Sequence, residues 1–301
     1  MNYYNEIKNK LIDNEVYKKV KDYSKNRNDL STYYEVGKLL IKAQGGEERA
    51  KYGDNLIKEY SERLFNDTGR KYNITALKRI RQFYLVVEKG VPLAHQLTWS
   101  HYCELLPLKD INEINYYVKI TIEQYLSKRQ LRERIRNKEY QRLDDKTKLK
   151  LINKEEIDIK DNIKNPIIIK NKLDIDKEIV SEKILQRLIL EDIPSFLEEL
   201  GTGYSFIKNE YKIKLGERYN YIDLLLFNIE YNCYVVVELK VTELKKEHIG
   251  QIQIYMNYID NSLRKLTQDK TIGLIICKKD NKYVIEYSSD KRILSREYEL
   301  I

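Results

Sequence analysis

A chain of 301 residues has room for one large or two ordinary domains, each with a core of its own. At 42% hydrophobic residues it contains no run near the roughly 18 apolar positions of a membrane span. The polar start MNYYNEIKNKL lacks the regions of a secretory signal, so a cytoplasmic protein with no membrane association is expected. Charge is uneven: residues 1–150 hold 31 Lys and Arg against 21 Asp and Glu, and the remainder 24 against 26.

The first 140 residues are expected to form an all-helical domain. Apolar residues recur at helical spacing in the opening segment and through Tyr33, Val36, Leu39 and Leu40, until Gly45-Gly46 ends the run. Further helices are expected at about 47–65, 75–89 and 110–125, with Gly90 and Pro92 closing the second of these. Ser127-x-x-Gln130 is a capping box that opens another, carrying Leu131 and Ile135. On that helix Arg129, Arg132 and Arg136 fall at i, i+3 and i+7, one stripe of guanidinium groups. Lys78, Arg79 and Arg81 form a second basic cluster. A polyanion such as nucleic acid is the natural partner of this basic half, because binding releases condensed counterions. A solvated helix face is the competing reading.

Residues 141–176 lose any sustained period and are expected to be a linker, with a short strand at Pro166–Ile169. From 177 the character changes. A helix over roughly 178–200 should stop at Gly201 and Gly203, followed by strands at Tyr204–Ile207, Tyr211–Leu215, Tyr219–Phe227 and Cys233–Val241, the last two joined as a hairpin. A helix over about 245–260 and strands at Thr271–Cys277 and Tyr283–Tyr287 complete an α/β domain around a mixed sheet, 177–301, in an α+β two-domain protein. Cys103, Cys233 and Cys277 are too few and too scattered for a disulfide framework or a zinc site and are expected as free thiols.

Two adjoining strands carry charges where apolar residues are expected. Cys233-Tyr-Val-Val-Val-Glu-Leu-Lys-Val is a run suited to burial on both faces, yet it ends in Glu238 and Lys240, which alternation places on one side. The partner strand contributes Asp223 inside Tyr-Ile-Asp-Leu-Leu. Charges at the end of a central strand are costly unless something there uses them. Two convergent carboxylates suit a hard, oxygen-seeking cation such as Mg²⁺ (or Mn²⁺) that keeps waters and can bind a phosphate. Lys240 would position the attacking water or stabilise developing charge, which together is phosphodiester hydrolysis. A structural ion pair at a strand end is the alternative, and Asp223 tilts the balance toward a site. In the next helix Ile249, Ile252, Met256 and Ile259 form a packing stripe, while Gln251, flanked by His248 and Tyr255, can orient a water or touch phosphate.

The stretch from Ser181 to Lys278 resembles the C-terminal domain of the YhcG-like family of bacterial nucleases, within the PD-(D/E)XK (restriction-endonuclease-like) superfamily. Ser181-Glu-Lys, Phe196-Leu-Glu-Glu-Leu-Gly, Tyr221-Ile-Asp-Leu-Leu, Val237-Glu-Leu-Lys, Gly250-Gln251 and Ile272-Gly-Leu-Ile-Ile-Cys-Lys carry the resemblance. In the first half Ile80-Arg-Gln-Phe-Tyr, Leu97-Thr-Trp-Ser-His-Tyr and Ser127-Lys-Arg-Gln-Leu are similar to segments of the family's N-terminal domain of unknown function. The resemblance implies Asp223, Glu238 and Lys240 as the catalytic set with Gln251 as a fourth element, Asp223 and Glu238 holding the metal. It further implies DNA as the substrate. Many nucleases of this class pair two sites, so a homodimer is among the expectations. One departure is Gln186, where relatives often supply an acid; Glu182 could take that part. For Trp99, Ser100, His101 and Tyr102, core packing and a helix N-cap at Ser100 are expected. The rivals to a nuclease are a nucleic-acid-binding or assembly protein with a vestigial nuclease fold, and a helical interaction protein.

Overall fold

The computed structural model describes residues 3–19, 25–46 and 54–301, and the chain divides into two compact units, 1–140 and 141–301. Residues 47–53 of the helix expected at 47–65 lie outside the described residues.

The first unit is helical: α1 (Tyr3–Lys19), α2 (Lys25–Ala43), α3 (Asp54–Thr68), α4 (Ile74–Glu88), α5 (Trp99–Leu105), α6 (Ile111–Glu123) and α7 (Lys128–Arg136). Helices α2 and α4 approach closely because Gly37 has no side chain; a Cβ there would lie 2.5 Å from the Ile80 carbonyl oxygen and 2.7 Å from Tyr84 Cβ. Beside them Trp99 lies tilted against Tyr33 and meets Phe83 edge-on, and Phe83 in turn meets Tyr102. Tyr102 is fully buried, and its hydroxyl donates to Pro92 O and accepts from Ala94 N–H, which fixes the turn after α4. Helix α7 starts with the expected Ser127–Gln130 box. The cap of α5 is Thr98 and not Ser100: His101 Nδ1 accepts the Thr98 N–H, so the imidazole closes the helix end. Core packing and capping therefore account for Trp99, His101 and Tyr102.

The second unit comprises α8 (Asp145–Asn153), β1 (Ile167–Ile169), α9 (Glu182–Glu191), α10 (Ile193–Leu200), β2 (Tyr204–Leu215), β3 (Arg218–Asn228), β4 (Cys233–Glu243), α11 (Lys246–Ser262), β5 (Ile272–Lys279), α12 (Lys282–Glu286) and β6 (Ile293–Leu300). One mixed sheet runs β1-β6-β5-β4-β3-β2, parallel from β1 to β4 and antiparallel from there to β2. Val235, Val237 and Leu239 of β4 pack with Leu185, Leu188 and Ile189 of α9, while Val236 between them packs with Ile252, Met256 and Ile259 of α11. Burial on both faces explains why β4 reads as a continuous apolar run. Gly273 in β5 admits α11, since a Cβ there would meet Met256 Sδ at 2.5 Å.

Several expectations change, among them the two strands at Tyr204–Ile207 and Tyr211–Leu215, which form the single β2. The segment 141–176 is part of this unit and not a linker: Arg142 pairs with the buried Glu199, Lys164 Nζ donates to Glu199 O at 2.7 Å, and β1 joins the sheet edge. The strand expected at Tyr283–Tyr287 is the short helix α12, with Tyr283 and Tyr287 exposed at helical spacing and Val284 and Ile285 packed inward. The last strand is instead β6, whose polar Ser295-Arg-Glu is satisfied by distant partners: Arg296 Nε donates to Ile163 O, and Glu297 N–H to Asn165 Oδ1. The helix over 178–200 is broken at Asp192, which caps α10 by accepting Ser195 N–H ahead of Pro194.

Candidate active site

The site begins where two strands part. The β3–β4 ladder runs from Asn228/Cys233 to Leu224/Val237 and stops; the next pair in that register would be Asp223 and Glu238. Beyond it β3 stays with β2 as far as Arg218, and β4 stays with β5. Leu225 and Ile222 both pack into the α11-side core although their odd separation puts them on opposite faces of a regular strand, so β3 rotates at Asp223. Opposite this point Glu210 adopts a left-handed φ of 46°. Parting leaves backbone groups without ladder partners, and side chains take them up. Leu239 N–H donates to Asp223 Oδ2 at 2.8 Å, and Asp223 O accepts from Gln186 Nε2 at 3.0 Å.

Glu238 is 2% exposed. Its Oε2 lies 3.5 Å from Lys240 Nζ, while its Oε1 is buried with no hydrogen-bond partner. Burial pushes its carboxyl up to about 8, the Asp223 charge adds to this, and Lys240 opposes it. Asp223 is raised by burial too, against the pull of Leu239 N–H and Lys240. Burial works against the charge of Lys240, yet Glu238, Glu182 and Asp223 outweigh it and raise its pKa. Two carboxyl groups that resist ionisation thus face an ammonium that resists deprotonation.

Helices on both sides complete the walls. Glu182 and Gln186 are four apart on α9, which Ser181 caps by accepting Ile184 N–H. Glu182 Oε2 lies 3.5 Å from Lys240 Nζ, whereas the Gln186 amide is committed to Asp223 O. The acid on α9 that reaches the site is therefore Glu182. From α11, Gln251 Nε2 donates to the hydroxyl of the buried Tyr255 at 3.0 Å. Burial raises the Tyr255 pKa, and the Glu238 and Asp223 charges raise it further, so Tyr255 belongs to the site's surroundings as well as to the core. Its spacing from Gln251 was the available signal. His248 caps α11, accepting Lys245 N–H at 3.2 Å.

A hard divalent cation fits this donor set. The orphaned Glu238 Oε1 lacks a donor, and the Asp223 and Glu238 oxygens suit such an ion, with waters or phosphate oxygens filling the remaining positions. Among the described residues no group of three His, Cys, Asp or Glu side chains is assembled for a metal.

In the helical unit, Arg132 is held by Glu104 in a fork, Nε at 2.9 Å and Nη2 at 2.7 Å, with Lys128 Nζ at 3.5 Å from the same carboxylate. Arg129 and Arg136 are exposed. Arg79 is exposed as well, Arg81 donates to Gln44 Oε1, and Lys78 is half-buried. The stripe on α7 thus presents two outward guanidinium groups and a third engaged within the domain.

Residues 160–301 match the family model described as the YhcG PDDEXK nuclease domain, and residues 9–142 match the DUF1016 N-terminal domain. The chain belongs to the YhcG-like family. It carries a nuclease domain of the restriction-endonuclease-like fold behind a helical N-terminal domain. "Putative nuclease YhcG" of Escherichia coli (strain K12) is 26% identical over 310 aligned positions, covering 90% of this chain and 83% of that protein. Among solved structures, a repair endonuclease from Pyrococcus abyssi aligns with 40% of this chain and 47% of its own at 16% identity and a TM-score of 0.28. The chain titled "Structure of EndoMS-dsDNA2 complex" aligns with 40% and 44% at 19% identity and a TM-score of 0.29. The chain thus spans less than half the length of either solved chain. No described helix is long and apolar enough to cross a membrane.

Proposed function

We propose that this YhcG-like protein is a Mg²⁺- or Mn²⁺-dependent nuclease that hydrolyses phosphodiester bonds in DNA, with Asp223 and Glu238 holding the ion. The observation that carries this reading is the buried Glu238 carboxyl at the parting of β3 and β4, next to the half-buried Asp223, with one Glu238 oxygen lacking any partner beside Lys240. When bound, the cation would polarise a phosphate and lower the pKa of a coordinated water. Lys240 keeps its proton because its acidic neighbours raise its pKa, so its part is to stabilise negative charge developing on the phosphate and not to act as a base. Glu182 holds the ammonium from the helix side and Glu238 from the strand side. Gln186 fixes the Asp223 backbone, and Gln251, tethered to Tyr255, orients a water or a phosphate oxygen. Arg129 and Arg136, with the Lys78–Arg81 cluster, add sequence-independent attraction for the polyanion. DNA is the substrate that the likeness to DNA-cleaving PD-(D/E)XK enzymes implies.

The second reading, a nucleic-acid-binding protein with a vestigial nuclease fold, is favoured by Gln186, an amide committed to a backbone carbonyl where an acid would add to the metal site. One experiment separates the two. Purified protein is incubated with DNA and RNA panels in Mg²⁺, Mn²⁺ or EDTA, beside calorimetric titration of Mn²⁺. A nuclease cuts only with the ion; Asp223→Asn removes both cleavage and the binding heat, and Lys240→Ala removes cleavage alone. An Asp223→Asn protein that cuts as fast as the parent overturns the assignment.

A further inference from the structure

Beyond the last β3–β4 pair, β2 and β3 continue as a two-stranded ribbon to the turn at Gly216. Directly opposed residues of an antiparallel ladder point to the same side. The pairs Lys212/Tyr221 and Lys214/Tyr219 therefore define one face, and two residues beyond Tyr221 the strand reaches Asp223, where it rotates. The other face is closed, with Ile213 and Ile222 buried in the α11-side core and Tyr211 and Leu215 packed against it. The first face is open: Tyr219 is 54% exposed, Tyr221 is 52% exposed, and both lysines are exposed. Lys212 Nζ lies 3.7 Å from the centre of the Tyr219 ring, so the ammonium covers one face of that ring.

Lysines on an edge strand such as β2 discourage strand-on-strand pairing. That role leaves the two tyrosines unexplained, since exposed rings at a sheet edge invite association. Rings about 7 Å apart along a strand, with two lysines on the same face, offer stacking platforms for bases and charges for phosphates. Base faces inside a duplex are covered by their neighbours, so only unpaired bases can use such platforms. We propose that Lys212, Lys214, Tyr219 and Tyr221 form a docking track for an unpaired nucleic-acid strand that leads into the site at Asp223. The track rests on the nuclease reading for its purpose but not for its chemistry.

The test is binding of fluorescein-labelled single-stranded and blunt duplex oligonucleotides to the full-length chain in EDTA, over a salt series. Tyr219→Ala/Tyr221→Ala should weaken single-strand binding at least about fivefold, the low end for losing one stacked base, and change duplex binding less than about twofold. Tyr219→Phe/Tyr221→Phe, which keeps the rings, should bind like the parent and controls for folding. Lys212→Ala/Lys214→Ala should flatten the single-strand salt slope by about 1.4, at roughly 0.7 per phosphate contact. Unchanged single-strand affinity in the alanine pair overturns the track, as does an equal loss on both oligonucleotides. A parent that sediments as a dimer, and becomes a monomer in the alanine pair, would give the face to a second copy of the chain instead. A parent that cleaves while the alanine pair binds and cuts unchanged refutes the track and leaves the nuclease standing. Ring-dependent single-strand binding without cleavage in any metal does the reverse.

Discussion

Glu238→Gln separates the stability of the fold from the needs of its site. The parent carboxyl sits at about 8 in the folded chain against an ordinary 4.5, mainly through burial and then through Asp223. A carboxyl raised on folding binds its proton more tightly in the native state, so stability is lost as pH climbs from 4.5 to 8. At 1.36 kcal/mol per pH unit, ionisable Glu238 costs the metal-free fold about 3 kcal/mol at pH 7 and under about 1 kcal/mol at pH 5. Glutamine keeps the shape and cannot ionise. At roughly 2–4 °C per kcal/mol for a unit of this size, the variant should melt several degrees above the parent at pH 7.5 in EDTA, the gap closing toward pH 5. Calorimetric melts of both proteins across that range, followed on the C-terminal transition, make the measurement. A variant that melts at or below the parent at pH 7.5, or a gap that does not change with pH, would refute the claim that this carboxyl is held against its ionisation.

Mn²⁺ should raise the melting temperature of the parent and leave Glu238→Gln unmoved, a ligand-linkage effect that scanning fluorimetry reads without any turnover. Arg129→Ala/Arg136→Ala should weaken duplex binding across sequences and flatten its salt dependence by up to about 1.8, at 0.9 per phosphate; an unchanged slope moves the binding surface elsewhere. Gly37→Ala should destabilise the helical unit by about 1–3 kcal/mol, because its new methyl meets the Ile80 carbonyl, a backbone group that cannot step aside; denaturant melts decide. Arg142→Ala leaves Glu199 buried without its charge partner and should cost about 3–5 kcal/mol in the C-terminal unit, read the same way.

How far each feature could be read from the sequence follows from the range of the interactions that make it. Asp223, Glu238 and Lys240 stood out because charges in apolar strands violate a local pattern, and strand alternation places Glu238 with Lys240 without any tertiary knowledge. The Ser127–Gln130 box was legible for the same reason, since its two hydrogen bonds close within one turn. The segment 141–176 was not. Its charges find partners across long stretches of chain, Arg142 with Glu199 and Asp144 with Arg296, and nothing nearby distinguishes them from a solvated linker. Strand β6 was hidden in the same way, since the partners of its polar Arg296 and Glu297 lie far off along the chain. The α12 segment Lys-Tyr-Val-Ile-Glu is rich in strand-favouring side chains, yet its position after β5 lets Val284 and Ile285 reach the core only from a helical turn.

The site's second layer was the harder part, and the reason lies in what those residues bond to. Gln186 and Glu182 occupy one face of an amphipathic helix, a placement that equally suits a solvent boundary, and their roles exist only because β3 leaves β4. That departure costs the backbone two ladder hydrogen bonds in a buried place. Asp223 answers one with its carboxylate on Leu239 N–H, and Gln186 answers the other at Asp223 O. One of the two side chains proposed to hold the metal is therefore also the one that lets the strands open, so metal affinity and local fold are coupled more tightly at Asp223 than at Glu238, whose Oε1 has no partner. Stability and function should accordingly part company at Glu238, where losing the charge relieves the fold, and fall together at Asp223, where losing a carboxylate oxygen also strands the Leu239 amide.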